Sequence, residues 1–469
     1  MTLNIEIPLE SYRYEDIFLL GNIIHEDICL IVSTSNKELY NQYISLEKEG
    51  AIKIHYRIPN NEITYTNSDV LDEYTDVIHY ILNNENTALF YDRTTLMPRY
   101  GIGINNFYRL ISGFVCEYLA YYKQTMPDYI FSASTPHEIR SWVRCMVADY
   151  LGIDVLVFEV RPLQLFGYLT IGFKKDRKIC AIKKEFNAID LDKSYAYVEK
   201  YISKTQGDYA DGMPYYLKIS INKNKKKYYN FWQDVLIWKK RPHDIYNKYI
   251  CYSEYKKISI IPESNKKYLI FYLQYQPEQT SLPEGYGFTQ QIIAIKCLRI
   301  CTPRDINIYV KEHPATFTEY CSSSQRHPTF YKDINSIDGV SLVKLEIDSF
   351  SLIDSSIATV TLTGTVGLES LLRGKPVIYF GIKIIDKLIG VHYYQNNELL
   401  RKFIHDCIYG INHESIVSEA VNYLKSSILY SVSSNNNLLT SEIVENLDYI
   451  DLKIEILKLL ISNNIEIPR

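Results

Sequence analysis

The sequence predicts an α/β protein with two Rossmann-like domains that face a central cleft. Short apolar runs rich in β-branched residues alternate with segments of helical spacing, which is the pattern of a parallel sheet covered by helices. This alternation breaks down after residue 200 and restarts near residue 256, and a chain of 469 residues is too long for one ordinary core. We therefore predict an N-terminal domain at 1–200, a connector at 201–255, a second domain at 256–440 and a C-terminal helix at 441–469.

In the first half, four runs have the length and the β-branched content of buried strands. They lie at 28–33, 87–91, 129–132 and 154–160. Two longer segments, 105–124 and 135–153, have helical spacing. In the second of these, Thr135 is the predicted cap, Pro136 the first helical residue and Glu138 the capping-box partner.

The second half repeats the alternation of strands and helices. Its predicted strands lie at 268–273, 306–310, 340–345, 357–361 and 376–380, and its predicted helices at 288–301 and 366–373. The segment 441–464 is amphipathic at helical spacing. We predict that this last helix packs across the junction between the two domains.

Composition argues against several classes of protein. The formal charge of −4 and the pI near 6.2 do not favour a nucleic-acid partner. Nine cysteines without a CxxC pair are typical of a reduced, cytoplasmic protein. The acidic start is unlike a signal peptide, and no run approaches the ~18 apolar residues of a membrane span. For the lysine- and aromatic-rich segment 223–232, a solvated connector and a peripheral contact with anionic lipid at the inner membrane face both stay open.

Polar and ionisable residues follow two predicted strands of the second half, at the strand ends where ligands bind in open α/β sheets. They are Lys311, Glu312, His313, Gln276, Glu278 and Thr280. His313 is suited to donate a hydrogen bond to a phosphate oxygen, and Pro314 fixes the turn that aims it. The alternatives are an ordinary turn histidine and a polar surface loop.

A turn of small residues separates the strand 357–361 from the next helix. Thr363, Gly364 and Thr365 follow the strand directly, so backbone N–H groups and two hydroxyls converge on any anion placed there. Glu369 lies one turn further, where its carboxylate can accept hydrogen bonds from a ribose diol. The alternative is a helix cap with Glu369 on a solvated face.

Three more residues complete the donor-binding candidates. Arg326 carries a planar fork that matches a phosphate or a carboxylate, although a surface arginine is the alternative. Tyr331 and Ser349 lie near it in the predicted loops.

Candidates for catalysis lie in the first half. Transfer to a hydroxyl needs a general base, and a retaining double displacement also needs a carboxylate nucleophile. His137 and Glu138 follow the strand 129–132 and are predicted to face the cleft. Glu159 ends the next strand, with Arg161 nearby to hold a sugar carboxylate. Glu138 has a second interpretation as a capping residue.

The order of these motifs resembles a known family. The segments YLQYQPEQTSLPEG, YVKEHP, GVSLVKLEIDSFSLI and TGTVGLESLLRGKPVIYFG, spread over 268–391, resemble the capsule and surface polysaccharide biosynthesis glycosyltransferases, the group that contains the bacterial Kdo transferases of capsule assembly. A thinner similarity covers 127–153. The resemblance implies a GT-B architecture, in which the C-terminal domain holds a nucleotide-activated sugar and the N-terminal domain presents the acceptor.

The resemblance also implies roles for individual residues. The His313-Pro314 element is similar to the one with which bacterial GT-B sialyltransferases hold the phosphate of a CMP-sugar. Thr363, Gly364 and Thr365 would complete the phosphate site, and Glu369 would bind the ribose. The implied enzyme needs no metal and no resident cofactor. Its co-substrate would be a CMP-linked ulosonic acid such as Kdo, and its acceptor a glycan or lipid-linked glycan.

Three alternatives stay open at this point. They are a nucleotide-sugar 2-epimerase on the same two-domain plan, a non-catalytic sugar-binding subunit of a polysaccharide assembly complex, and an enzyme that transfers a polyol phosphate from a CDP-alcohol. The sequence leaves open the base of the donor, retention or inversion at the sugar, and the oligomeric state.

Overall fold

The computed structural model describes most of the chain. The described residues are 2–9, 12–58, 68–96, 103–160, 166–174, 177–182, 191–209, 229–238, 242–263, 265–276, 278–318, 326–382, 385, 388–428, 432–433 and 449–468. They divide into two compact units. Unit 1 comprises Met1–Tyr197 together with Ser426–Arg469, and unit 2 comprises Val198–Lys425.

Strands and helices alternate through both units. The strands are β1 (Leu3–Pro8), β2 (Ile28–Thr34), β3 (Ile52–Tyr56), β4 (Tyr129–Ser132), β5 (Asp154–Glu159), β6 (Phe166–Ile171), β7 (Lys178–Ile179), β8 (Ala181–Ile182), β9 (Tyr268–Tyr272), β10 (Asn307–Lys311), β11 (Val340–Leu342), β12 (Ala358–Thr361), β13 (Val377–Tyr379), β14 (Val391–Tyr393), β15 (Val432–Ser433) and β16 (Ile465–Glu466). The helices are α1 (Tyr14–Ile23), α2 (Lys37–Tyr43), α3 (Ser68–Leu82), α4 (Glu85–Leu96), α5 (Ile104–Thr125), α6 (Ile139–Tyr150), α7 (Leu191–Gln206), α8 (Phe231–Trp238), α9 (Pro242–Ile258), α10 (Gln291–Cys301), α11 (Phe330–Asn335), α12 (Ser349–Ser355), α13 (Val366–Leu372), α14 (Asn397–Tyr409), α15 (His413–Ser427) and α16 (Tyr449–Ile461).

The sheet of unit 1 is parallel at its centre. Its order is β15-β6-β5-β4-β1-β2-β3, and β7 also pairs with β6. The five strands β1 to β5 run parallel, whereas β6, β7 and β15 pair in antiparallel fashion. The chain moves outward from β1 to β3 and then crosses back to β4 on the other side of β1. This reversal places the topological switch point between β1 and β4.

Unit 2 contains a six-stranded sheet in the order β11-β10-β9-β12-β13-β14, in which every pairing is parallel. Its strands are buried along their length, which explains why the sequence shows continuous apolar runs instead of alternation. The order reverses at β9, so the switch point of this sheet lies between β9 and β12. The predicted α/β architecture with two parallel-sheet domains is confirmed.

Most predicted elements of the second half are present with shifted ends. The helix predicted at 366–373 is α13, and the helix predicted at 288–301 begins at Gln291, after a 3-10 turn at Tyr286–Phe288. The strand predicted at 340–345 ends at Leu342.

Two predictions for the first half are corrected. The run 87–91 is part of helix α4, not a strand, and Phe90 packs against Trp142 at a ring-centroid distance of 5.3 Å. Periodicity alone does not separate a short buried strand from a buried helix segment. The helix predicted from Thr135 starts instead at Ile139, and Glu138 is its N-cap residue. The helix predicted at 105–124 is confirmed as α5.

The predicted packing of the last helix across the domain junction is replaced by packing within unit 1. The buried residues of α16 that join the core of unit 1 are Ile454, Ile456, Leu457, Leu459, Leu460 and Ile461. The following strand β16 pairs with β8 of the same unit. Amphipathic spacing predicts that a helix face is buried but not which core receives it.

The predicted connector at 201–255 falls within unit 2. Among the described helices, none combines the length and the apolar character needed to cross a bilayer.

Candidate functional site

The candidate site lies at the carboxyl edge of the unit 2 sheet, where β9, β10 and β12 end. Lys311 is paired with Tyr272, and Val360 is paired with Phe271, so the three parallel strands end at nearly the same level. The loops that follow them therefore leave the sheet from one edge. This edge brings together the turn at His313, the turn at Gly364 and the loop after β9.

A buried ion pair occupies the centre of these loops. The carboxylate of Glu312 contacts Arg326 through Nε–Oε2 at 3.0 Å and Nη2–Oε1 at 3.1 Å, and both side chains are buried. Tyr331 donates its hydroxyl to Oε2 at 2.7 Å, and Thr316 donates to Oε1 at 3.1 Å. A carboxylate with this many donors is fully satisfied inside the protein. Glu312 therefore supports the loops and has no remaining capacity for a ligand.

Arg326 is equally committed to the protein. Its Nη1 donates to Gln276 Oε1 at 2.8 Å, its Nη2 donates to the carbonyl of Gln274 at 2.6 Å, and its guanidinium lies 4.6 Å from the ring centroid of Phe330. Gln276 in turn donates to the carbonyl of Thr289 at 3.0 Å. Arg326 is thus neither a surface arginine nor an open anion site. It ties the loop after β9 to the loop after β10.

Lys311 is also used to hold a loop. Its ammonium group is buried and donates to the carbonyls of Leu345, at 3.3 Å, and Ile347. Burial lowers the pKa of Lys311 to about 8, while Asp348 and Glu346 oppose the shift. The lysine therefore secures the segment that leads into α12, whose first residue is Ser349.

His313 is the third ionisable residue of this motif. It caps the 3-10 turn Pro314–Phe317, where its Nδ1 accepts from the N–H of Ala315 at 3.1 Å. Burial lowers the pKa of His313 to about 4, so the imidazole is neutral near neutral pH. Because Nδ1 is an acceptor, the ring carries its proton on Nε2. The ring packs against Tyr275 with centroids 4.9 Å apart.

The turn after β12 is tied to the loop after β9. Thr363 donates its hydroxyl to the carbonyl of Thr280 at 2.7 Å. With the amide of Gln274 oriented so that its nitrogen donates to the same carbonyl at 3.1 Å, its oxygen accepts from the N–H of Gly364 at 2.8 Å. A Cβ on Gly364 would lie 2.8 Å from Thr361 Oγ1, so the turn requires glycine.

Two backbone groups of the same turn stay open. Within the described residues, the N–H groups of Thr365 and Val366 have no hydrogen-bond acceptor. The side chain of Thr365 is exposed, and it makes no capping hydrogen bond to α13. The open donors of this turn are therefore at 365 and 366, one step further along than Thr363 and Gly364.

Glu369 lies in the first turn of α13. Burial raises its pKa to about 7, and Arg373 opposes the shift. No described residue donates a hydrogen bond to its carboxylate. Its charge raises the pKa values of Tyr272 and Tyr379, which places both rings close to it. The Tyr272 hydroxyl donates to the carbonyl of Ser349 at 2.8 Å, so α12 and α13 meet around this tyrosine.

The catalytic candidates of unit 1 lie at the ends of β4 and β5 and differ in their surroundings. Glu159 is buried, pairs with Arg177 and accepts from the hydroxyl of Thr135 at 2.7 Å. Glu138 is exposed at the start of α6, and its backbone exchanges hydrogen bonds with the hydroxyl of Ser141. His137 beside it is half-buried, with Nδ1 at 2.7 Å from the carbonyl of Thr135. Arg161 lies outside the described residues.

Comparison with known proteins gives a family match within unit 2. Residues 198–399, which include the whole edge described above, match the protein-family model described as "Capsule polysaccharide biosynthesis protein". The resemblance found in the sequence is thereby confirmed. A search of the curated proteins finds no match.

Solved structures show a distant likeness to this chain. KpsC from Thermosulfurimonas dismutans, a beta Kdo 2,7 transferase, is 12% identical over 65% of this chain and 88% of its own, with a TM-score of 0.30. Alr3699/HepE from Anabaena, in complex with UDP and glucose, is 11% identical over 92% and 97%, with a TM-score of 0.29. UDP-GlcNAc 2-epimerase from Methanocaldococcus jannaschii is 13% identical over 89% and 98%, with a TM-score of 0.24. We draw no functional conclusion from likenesses this weak.

Sequence reasoning missed several residues that build this edge. Gln274 connects Arg326 to the turn at Gly364, and Tyr272 and Tyr379 surround Glu369. Gln274 had a signal, since it directly follows a strand in the quoted motif YLQYQPEQ. The two tyrosines had none, because a tyrosine inside an apolar run is usual for a buried strand.

Proposed function

We propose that this chain is a glycosyltransferase of capsule or surface polysaccharide assembly. It binds a nucleotide-linked sugar at the carboxyl edge of the unit 2 sheet and transfers the sugar to a glycan or lipid-linked glycan. The observation that carries the proposal is that N–H donors of His313 and of the 365–366 turn lie at the same sheet edge as Glu369, whose carboxylate accepts no hydrogen bond from a described residue. The donors are complementary to a phosphate group, and the carboxylate is complementary to a ribose diol.

The charge of the site favours a donor with a single phosphate. Lys311 and Arg326 are committed to carbonyl groups and to Glu312, so the donors proposed for the phosphate are a neutral imidazole and two backbone amides. Neutral donors suit one negative charge better than two, because each further buried charge needs a cation to offset its desolvation. A CMP-linked sugar has one phosphate, whereas UDP- and GDP-sugars have two. We therefore propose a CMP-linked ulosonic acid of the Kdo type as the donor.

Glu369 is the proposed ribose ligand. Burial raises the pKa of Glu369 to about 7. Its ionised form is therefore strongly stabilised when two hydroxyl groups donate hydrogen bonds to it. The nearby Tyr272 of β9, whose pKa the charge of Glu369 raises, donates its hydroxyl to the carbonyl of Ser349, the first residue of α12. Nucleotide binding should therefore lower the pKa of Glu369 and release protons near neutral pH.

The proposed reaction breaks one bond and forms another. The bond between the anomeric carbon and the phosphate oxygen breaks, the acceptor oxygen bonds to that carbon, and CMP leaves with its negative charge stabilised by His313 and the open amides. The acceptor proton passes to a general base in unit 1. We assign this role to Glu138 with His137 beside it, because its carboxylate is exposed while Glu159 is held by Arg177. No metal step is proposed.

The deciding experiment is a thermal-shift series with CMP, CDP, UDP and GDP. A nucleotide at about 100 times its Kd stabilises the fold by about 2.7 kcal/mol. We expect CMP to raise the Tm most and Glu369→Gln to reduce its effect. Stabilisation by UDP alone would favour the 2-epimerase alternative, and stabilisation by CDP above CMP would favour polyol-phosphate transfer. Absence of any nucleotide effect would refute the proposed site.

Transfer itself needs a separate assay. Incubation with CMP-Kdo and a Kdo-ended glycolipid acceptor should yield an extended acceptor and free CMP. CMP binding without any transfer to a range of glycan acceptors would favour a sugar-binding subunit. A cytoplasmic location follows from the proposed donor, which is made in that compartment.

A further inference from the structure

A buried carboxylate of unit 1 is shared by two arginines. Glu117 of α5 accepts through Oε1 from Arg57 Nη1 at 3.0 Å and from Arg140 Nη2 at 2.7 Å. The side chains of Glu117 and Arg57 are buried, whereas that of Arg140 is 41% exposed. The three side chains together carry one net positive charge, and solvent reaches this charge at Arg140.

The guanidinium group of Arg140 is held in one orientation. Its Nε donates to the hydroxyl of Tyr118 at 3.2 Å, and its Nη2 also donates to the hydroxyl of Ser35 at 2.9 Å. The group lies 5.5 Å from the ring centroid of Phe114. In the part of the chain that the structure describes, Nη1 donates no hydrogen bond. Arg140 therefore offers two N–H groups and a positive charge to a ligand without having to change its conformation.

Arg140 lies at the switch point of the unit 1 sheet. Ser35 directly follows β2, and Arg140 is in the first turn of α6, which follows β4. Because β1 lies between β2 and β4, the hydrogen bond between Arg140 and Ser35 joins the two loops on either side of the carboxyl end of β1. Open parallel sheets bind ligands at this position. Glu138, the proposed general base, lies two residues before Arg140 at the start of the same helix.

We propose that Arg140 binds a carboxylate group of the acceptor, which makes the acceptor a glycan that ends in an acidic sugar. A guanidinium group matches a carboxylate in shape and charge, and the hydrogen bonds between them are charge-assisted. A doubly charged phosphate fits less well, because Glu117 already places a negative charge beside the site. The inference rests on the proposed function, since it names the acceptor of that reaction. Arg140 positions the acceptor, and the proton passes to Glu138.

The first test measures binding without transfer. Ligand-observed NMR compares the methyl glycoside of Kdo, which has a carboxylate, with the same glycoside as its neutral carboxamide, and excess CMP is present to fill the donor site. We expect the full chain to bind the acid about tenfold more tightly than the carboxamide, because the carboxamide lacks the charge that Arg140 recognises.

Variants locate the site. Arg140→Gln should bind the acid about tenfold more weakly, and Arg140→Lys should recover part of this loss because it keeps the charge but not the planar group. Both variants should fold, since Glu117 stays paired with Arg57. The matched control is Arg401→Gln, which changes an exposed arginine on α14 and should bind like the unchanged protein.

The second test measures transfer to a Kdo-ended glycolipid and to its carboxamide. In Arg140→Gln, the KM for the acidic acceptor should rise about tenfold with little change in kcat, and the KM for the carboxamide should stay the same. A purely structural role would instead lower the Tm and impair both acceptors equally.

The outcomes separate this inference from the proposed function. Failure of the acid to bind, equal binding of acid and carboxamide, or binding that Arg140→Gln leaves intact would each overturn the carboxylate site. Binding of the acid through Arg140 without any transfer would support the site and count against the transferase. Transfer at equal rates to both acceptors would support the transferase and overturn the site.

Discussion

Glu369 should make nucleotide binding depend on pH. Its pKa is about 7 because it is buried without donors, and the ionised form is the one that accepts hydrogen bonds from a ribose diol. About a tenth of these carboxyl groups are ionised at about pH 6 and about nine tenths at about pH 8. Affinity for CMP should therefore rise with pH, by about tenfold between these two values. His313, with a pKa of about 4, stays neutral across this window.

Isothermal titration calorimetry with CMP at the two pH values measures this effect. Repeating each titration in buffers of different ionisation enthalpy should reveal proton release on binding near pH 7. Glu369→Gln should bind CMP weakly at both pH values and lose the part of the pH dependence that Glu369 causes. Because this variant keeps Lys311, any contribution of that residue to the pH dependence remains in it. The matched control is Glu414→Gln, an exposed glutamate in the first turn of α15. The phosphate of free CMP also loses a proton near about pH 6, so the effect assigned to Glu369 is the difference in pH dependence between the unchanged protein and Glu369→Gln, and an equal dependence in both would refute the assignment.

Three further predictions concern the loops, the base and the metal. Arg326→Met should lower the free energy of unfolding by about 3 to 5 kcal/mol, because it leaves Glu312 buried and charged. In denaturant titrations, the added change Glu312→Gln should recover part of this loss. Lys311→Met should become less stable relative to the unchanged protein as pH rises, by up to about 2 kcal/mol between about pH 8 and about 9.5. The reason is that folding lowers the pKa of Lys311, so the unchanged protein gains stability above that pKa and the variant does not. Glu138→Gln should abolish transfer while CMP still raises the Tm. EDTA should leave the transfer rate unchanged, and a rate that EDTA lowers and Mg²⁺ restores would contradict the proposed metal independence.

Sequence patterns predicted the parallel sheet of unit 2 because its strands are buried on both faces. The runs at β9, β10 and β12 are continuous and β-branched or aromatic, which few helices of that length would show. The run 87–91 has similar composition but belongs to α4, and only its tertiary contact with Trp142 distinguishes the two cases. Likewise, the amphipathic pattern of α16 did not reveal that its core is in unit 1.

The roles of charged residues were harder to predict than their location. Lys311, Glu312 and Arg326 all lie at the predicted edge, yet each is paired with a protein group that is distant in sequence. A pairing across 14 residues, as between Glu312 and Arg326, depends on how two loops pack and leaves no local pattern in the chain. The sequence therefore placed these residues at one edge of the sheet without distinguishing ligand groups from supporting ones.

The supporting charges explain why a strand would end in three ionisable residues. Lys311 fixes the segment before α12, and Glu312 with Arg326 fixes the loops after β9 and β10. Between them His313 is buried deeply enough to stay neutral, and its orientation is set by its bond to Ala315. In the proposed reaction, a cationic residue at this position would bind the phosphate more strongly but would also hold the departing CMP. A neutral donor held in place by these ion pairs would stabilise the leaving phosphate and still permit product release.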